Sequence, residues 1–156
     1  MSRSLMKSLR ENQKFQTLIL ELYPPFFFMG VKILSISKDY RHLKVRLPLR
    51  RYGTNHNGTM FGGFICSASD PLAALMCSKI FKNTEVWTQA HKVDFLRPGR
   101  TDLTIEIQIT DDDLEAIQTG LNDHAKVSRS FQYDIRDSNG KLVARVLNTV
   151  HLKIRK

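Results

Sequence analysis

Residues 61–81, FGGFICSASDPLAALMCSKIF, constrain the fold more than any other part of this chain. The run is long enough for five helical turns, and apolar residues recur on every side of it. A helix without a polar face must be enclosed by other elements nearly all round. It opens on Gly62 and Gly63, and a lone carboxylate, Asp70, sits inside it. Glycine in the first turn of such a helix leaves bare backbone N–H groups, at the positive end of the helix dipole, open to an incoming oxygen. An acidic side chain two turns further on, with few charges near it, needs a reason to be there. With Asn55 shortly upstream, these are parts of an acyl-transfer or hydrolysis site: an oxyanion hole and a base.

The rest of the chain can supply the wrapping. Leu5, Leu9, Phe15, Leu18, Ile19 and Leu22 recur at helical spacing, which predicts an amphipathic helix over about 3–22, stopped by Tyr23, Pro24 and Pro25. Residues 26–37, FFFMGVKILSIS, read as a buried strand, and 39–42 as a turn. Leu43, Val45, Leu47 and Leu49 alternate with polar neighbours, the pattern of a half-buried strand, and 50–60 form a polar loop. After the central helix come strands over 86–97 and around Ile105, Ile107 and Ile109. Thr110 followed by Asp111, Asp112 and Asp113 predicts an N-cap with an acidic first turn, with Gly120 at that helix's end. Val127, Phe131, Tyr133 and Ile135 share one strand face, with Arg129 the polar exception. Ser138, Asn139 and Gly140 make a hairpin turn before a last strand lined by Val146, Val150, Leu152 and Ile154.

This order specifies an α+β fold: an antiparallel sheet wrapped around a long central helix, with a further helix at the N-terminus. Residues 1–25 are expected to pack as a helix on a single domain formed by 26–156. The opposite face of the sheet would need cover from that helix or from another subunit.

At 156 residues, 42% of them hydrophobic and 25% charged, the chain has material for one sizeable core. No apolar run reaches the roughly 20 residues that span a bilayer. The N-terminus lacks the uninterrupted apolar segment of a secretory signal, so the expected location is the cytoplasm. Cys66 and Cys77 lie eleven positions apart. On one helix that is about 16 Å, too far for a disulfide, and neither has metal-ligand spacing to another Cys or His. The net charge of +9 favours polyanions, but the basic residues are dispersed and no recognition motif accompanies them. Nucleic acid is therefore not the expected partner; a phosphorylated ligand such as coenzyme A explains part of the excess. The sequence contains no Walker or dinucleotide fingerprint, no G-x-S-x-G elbow and no H-E-x-x-H zinc pair.

The stretch from Asn55 to Asp70, NHNGTMFGGFICSASD, resembles the signature of the hotdog-fold thioesterases, which include phenylacetate-pathway and acyl-CoA thioesterases. Their pattern runs asparagine, a short gap, Gly-Thr, an apolar residue, His-Gly-Gly, then a carboxylate on the helix. Here it is Asn55, Gly58, Thr59, Met60, Phe61, Gly62, Gly63 and Asp70. Phe95, Leu96, Arg97, Pro98 and Gly99 resemble the family's turn after its third strand, and the likeness extends over 26–154. The acidic helix near 111–120 points to a branch whose members lack assigned functions.

The resemblance implies a hotdog fold and an acyl-CoA thioesterase that needs no cofactor or metal and takes its thioester as substrate. It implies that the Gly62 N–H polarises the carbonyl and that Asp70, from a partner subunit, acts as base or nucleophile. Asn55 would orient water or carbonyl, and Thr88 would position the water. Phe61, Gly63, Arg97 and Arg100 would surround the substrate, the arginines reaching phosphate. A two-chain site makes a homodimer obligatory, and dimers of dimers are common in the superfamily. One departure stands out: Phe61 occupies the histidine position. That favours the alternative of a non-catalytic acyl-CoA or fatty-acyl binding protein on the same scaffold.

The residues taken alone leave other readings open. Asp70 and Pro71 could start a helix as N-cap and first residue. Gly62 and Gly63 could serve close packing, and Asn55, His56 and Asn57 could be turn formers. His91, on a strand face with Val93 and Phe95, reads as a satisfied core or interface histidine.

Overall fold

The computed structural model describes residues 13–155. The part of the expected N-terminal helix that precedes Gln13, with Leu5 and Leu9, lies outside the described residues.

The elements are α1 (Gln13–Leu22), α2 (Pro24–Met29), β1 (Lys32–Ile36), β2 (His42–Leu47), α3 (Gly62–Ile80), β3 (Thr84–Phe95), β4 (Leu103–Gln108), α4 (Asp111–His124), β5 (Lys126–Asp137) and β6 (Leu142–Ile154). The strands form one sheet in the order β1-β2-β4-β5-β6-β3, with every neighbouring pair antiparallel. β1 and β3 are therefore its edges. This is the hotdog architecture, with α3 as the enclosed helix.

Alternation along the strands explains the enclosure. In β2, Leu43, Val45 and Leu47 are buried, as are Leu103, Ile105 and Ile107 opposite them in β4. The same face of β5 and β6 contributes Phe131, Tyr133, Ile135, Val146, Val150 and Leu152. Against it lie the buried α3 residues Ile65, Ala68, Leu72, Ala73, Met76 and Cys77. Both cysteines are free.

Two expectations are corrected. Residues 26–29 are not strand: Pro24 and Pro25 occupy the first helical turn, where a missing N–H costs nothing, and the segment forms α2. Gly30, at φ 71°, ends that helix, and Phe27 and Phe28 are exposed rather than buried. Gly120 does not end α4, which runs four residues further to a cap at Ala125 with φ 58°. Gly120 instead lets the helix approach β5, since a Cβ there would meet Val127 Cγ2 at 2.7 Å. The outer sheet face is polar across β2 and β4. It carries cross-strand polar pairs such as His42 Nε2 with Glu106 Oε1 at 2.8 Å and Lys44 Nζ with Glu106 Oε2 at 3.0 Å.

α1 is tied to β1 by Glu21, which accepts from the Ile33 N–H at 3.0 Å and pairs with Lys32 Nζ at 2.8 Å. Among the described residues no helix is long and apolar enough to cross a membrane.

Candidate active site

The start of α3 is fixed from both sides. The Met60 N–H donates to the Gly99 carbonyl at 2.7 Å, and the Phe61 N–H to the Gly53 carbonyl at 2.8 Å. Phe61 is the N-cap, with extended φ −64° and ψ 126°, and no side chain caps the helix. The Gly62 and Gly63 N–H groups consequently have no acceptor among the described residues, as the first donors of an uncapped helix must. Gly62 opens onto a groove of about 400 Å³, whose walls include Asn55, Ile65, Phe95 and Arg97. A Cβ there would sit 3.2 Å from Phe95 Cζ, so the ring would have to give only slightly.

Phe61 and Gly63 form a second pairing. The Phe61 ring lies over the bare Gly63 backbone, where a Cβ would fall 2.4 Å from the ring. Phe64 stands edge-on to Phe61 at 6.2 Å and to Tyr52 at 6.4 Å. The helix start is thus flanked by exposed aromatic surface.

Asn55 lies on the groove wall with its side chain engaged in its own loop. Oδ1 accepts from the Asn57 N–H at 2.9 Å and the Thr59 N–H at 3.2 Å, and Nδ2 donates to Thr59 Oγ1 at 2.9 Å. Arg97 anchors itself to the Leu142 carbonyl at 2.8 Å. Arg100 is exposed beyond the groove.

Asp70 is half-buried within an unbroken helix, so it is not an N-cap, and Pro71 is internal. Its carboxylate has no hydrogen-bond or ion-pair partner among the described residues. Its backbone is the opposite case. The Asp70 carbonyl accepts from Asn148 Nδ2 at 2.7 Å and from Thr88 Oγ1 at 3.2 Å. The preceding Ser69 carbonyl accepts from the Tyr133 hydroxyl at 2.7 Å. Thr88 therefore does stand beside Asp70, at a bulge in β3.

The candidate residues fall into two groups. Asn55, Gly62 and Arg97 share the groove, whereas Asp70 sits eight residues further along α3, about 12 Å down the axis, with Thr88 of β3 beside it. Within one chain they do not meet.

His91 is a satisfied histidine. Asn148 Nδ2 lies 3.0 Å from its Nδ1, and Ser69 Oγ 3.1 Å from its Nε2. An amide nitrogen can only donate, so Nδ1 accepts and Nε2 carries the proton. Burial holds the imidazole below its ordinary pKa, with the Asp70 charge opposing more weakly. Ser69, Tyr133 and Asn148 are the residues that sequence reasoning missed. The signal was present at Asn148: it occupies the inward register between Val146 and Val150, where an apolar residue is expected. Among the described residues no three His, Cys, Asp or Glu side chains cluster as a metal site would.

The family model of a domain of unknown function, DUF4442, matches residues 11–152. The chain belongs to this family. The fold of this DUF4442 protein is similar to a probable thioesterase from Pseudomonas aeruginosa, with TM-score 0.83 and 16% identity, covering 92% of this chain and 97% of that one. It is also similar to a thioesterase from Haemophilus influenzae, with TM-score 0.70, 16% identity and coverage of 92% and 91%. A third is the PaaI protein of the E. coli phenylacetic acid degradation operon, with TM-score 0.66, 20% identity and coverage of 90% and 93%. At these identities the likeness is one of fold. No curated protein matches the chain.

Proposed function

We propose that this protein is a cytoplasmic thioester hydrolase of the acyl-CoA type, working as a homodimer. One observation carries the reading: a half-buried carboxylate without a partner among the described residues and an uncapped helix start open to a groove lie on the same helix. Buried acids are normally paired, so one left without a partner invites a functional reading.

In this mechanism the thioester carbonyl enters the groove of one subunit and points its oxygen at the Gly62 N–H. The helix start supplies fixed dipoles where negative charge develops as the tetrahedral intermediate forms. Asp70 of the other subunit takes a proton from water as it attacks, and returns it to the sulfur when the intermediate collapses, the C–S bond breaks and the thiol leaves. Thr88 has committed its hydroxyl proton to the Asp70 carbonyl but keeps acceptor capacity for that water. Asn55 shapes the groove wall, and Phe61, over Gly63, borders the acyl path. Arg97 and Arg100 lie on the side where coenzyme A phosphates would pass. The β3 edge, unpaired among the described residues, is the route by which two chains pair, since an edge strand readily accepts a second copy.

The second reading is an acyl-binding protein without turnover, favoured by the Phe61 side chain in the histidine position. Thiol release from short, long and aromatic acyl-CoAs separates the two. Turnover by the native protein, lowered on the order of 10²-fold in Asp70→Asn, supports hydrolysis. Equal binding by both proteins with no release establishes the binding protein.

A further inference from the structure

We propose that Tyr133 and Asn148 are positioning residues that aim Asp70 by holding the backbone on which it stands. The inference rests on the hydrolase reading above.

Pro71 has no N–H, so the helix loses one internal hydrogen bond at this point and its backbone is less firmly determined by α3 itself. The sheet supplies the missing constraint. The Ser69 and Asp70 carbonyls, the two immediately before the proline, accept side-chain bonds from three strands: Thr88 of β3, Tyr133 of β5 and Asn148 of β6. Tyr133 is 5% exposed and Asn148 and Ser69 are fully buried, so these bonds form away from water and fix distances closely.

The orientation of Asn148 is itself determined. Its Nδ2 faces two acceptors, the Asp70 carbonyl and His91 Nδ1, so the amide cannot turn over without opposing oxygen to oxygen. His91 in turn directs its Nε2–H to Ser69 Oγ, whose own proton goes to the Ile65 carbonyl at 2.7 Å. This accounting excludes the nearby Ser69, His91 and Asn148 as a nucleophilic triad. The serine proton is directed away from the imidazole, the asparagine donates where a triad needs an acceptor, and the serine is sealed in.

The arrangement also has a cost that packing alone would avoid. Asn148 Oδ1 is buried without a partner among the described residues. An orphaned buried acceptor is destabilising, and an apolar residue of similar volume would remove that penalty. What the polar set provides is placement of residue 70. Among the described residues the Asp70 carboxylate has no side-chain partner to steer it, so its direction depends on where the backbone is held. A displacement of about 1 Å in a catalytic group can cost on the order of 10²-fold in rate.

The test is a double-mutant cycle on thioester turnover with an apolar control. Tyr133→Phe removes one hydroxyl and should lower kcat about tenfold while KM stays within about twofold. Ile135→Val, at the next inward position of the same strand, removes one methylene and should lower Tm comparably while leaving kcat unchanged. In the Asp70→Asn background the Tyr133→Phe effect on kcat should disappear, because the group it aims is gone. Asn148→Asp, which places an acceptor against the Asp70 carbonyl, should lower kcat at least as far. The proposal is overturned if Tyr133→Phe costs no more rate than Ile135→Val, or if its full effect persists without the Asp70 carboxylate. Full turnover by Asp70→Asn alone is a different result: it overturns the hydrolase reading and takes this proposal with it.

Discussion

Arg129 holds Asp113 through two nitrogens on one oxygen: Nε lies 2.8 Å and Nη2 2.7 Å from Oδ1. The other carboxylate oxygen accepts from the Thr110 N–H at 2.9 Å and the Thr110 hydroxyl at 2.8 Å, closing a capping box at the start of α4. One buried acid thus starts the inserted helix and ties it to β5. Burial pushes the Asp113 pKa up, but the Thr110 bonds and Arg129 together outweigh it and hold the carboxyl below its ordinary value. The unfolded chain then binds more protons than the folded one as pH falls. The stabilisation is complete above the unfolded carboxyl pKa of about 3.9 and is lost as pH drops through the folded value. Asp113→Asn should cost about 1–2 kcal/mol at neutral pH, with Tm lower by several degrees. That difference should shrink on acidification to about pH 3; a constant difference in thermal melts would exclude this role.

Gly120 gives a prediction opposite to helix propensity. Alanine inside a helix normally gains about 1 kcal/mol over glycine. Here its Cβ would stand 2.7 Å from Val127 Cγ2 and 2.8 Å from Val127 Cβ, and a β-branched side chain in a strand has little freedom to move aside. Gly120→Ala should therefore destabilise by about 1–3 kcal/mol, whereas Thr119→Ala, at the exposed neighbouring position, should be neutral or stabilising. In denaturant titrations the Gly120→Ala midpoint should fall while the Thr119→Ala midpoint stays or rises.

That contrast shows where local reasoning works. The enclosed helix was legible because its lack of a polar face dictates its surroundings, and β2 because strict alternation allows no other half-buried conformation. The acid-rich start of α4 was legible from Thr110 and the aspartates after it. The segment beginning at Pro24 was misread because four apolar residues in a row carry no period; the deciding facts are the prolines in the first turn and the left-handed Gly30. Gly120 was misread because its reason lies across space, in Val127. The same holds for the candidate site. Gly62 and Asp70 were visible because both break the pattern of one helix. Tyr133 and Asn148 act from strands more than sixty residues away, and only their inward register hints at them.

His91 predicts a second pH effect with its own window. Burial lowers its pKa in the folded protein, so between the unfolded value of about 6.5 and the folded one the unfolded chain takes up more protons. Its unfavourable contribution is absent above that range and grows as pH falls through it. The groups facing the ring are Asp70 and Ser69 on α3 and Asn148 on β6, and of these Asp70 is the one that carries charge. Urea denaturation of the native protein should show stability declining from about pH 7.5 to 5.5, and His91→Gln should flatten that decline. An unchanged slope in the variant would assign the decline to another group.

Gly62 offers the sharpest test of a site shared between chains. It is the first residue of α3, where proline is tolerated, and Phe61 already has the extended ψ of 126° that a following proline requires. Gly62→Pro thus removes the N–H at the groove with little other change; the Phe95 ring, 3.2 Å from where a Cβ would lie, need shift only slightly. The variant should melt near the native temperature and lose about 10²–10³-fold in kcat, the usual loss of an oxyanion donor. Asp70→Asn should be similarly impaired for a different reason. Mixed and re-equilibrated, the two inactive proteins should recover activity. In a mixed dimer one site carries both lesions and the other neither, so random pairing restores about a quarter of native turnover. No recovery from mixed dimers verified by mass would mean that the Gly62 amide and the Asp70 carboxylate do not serve one site across the interface.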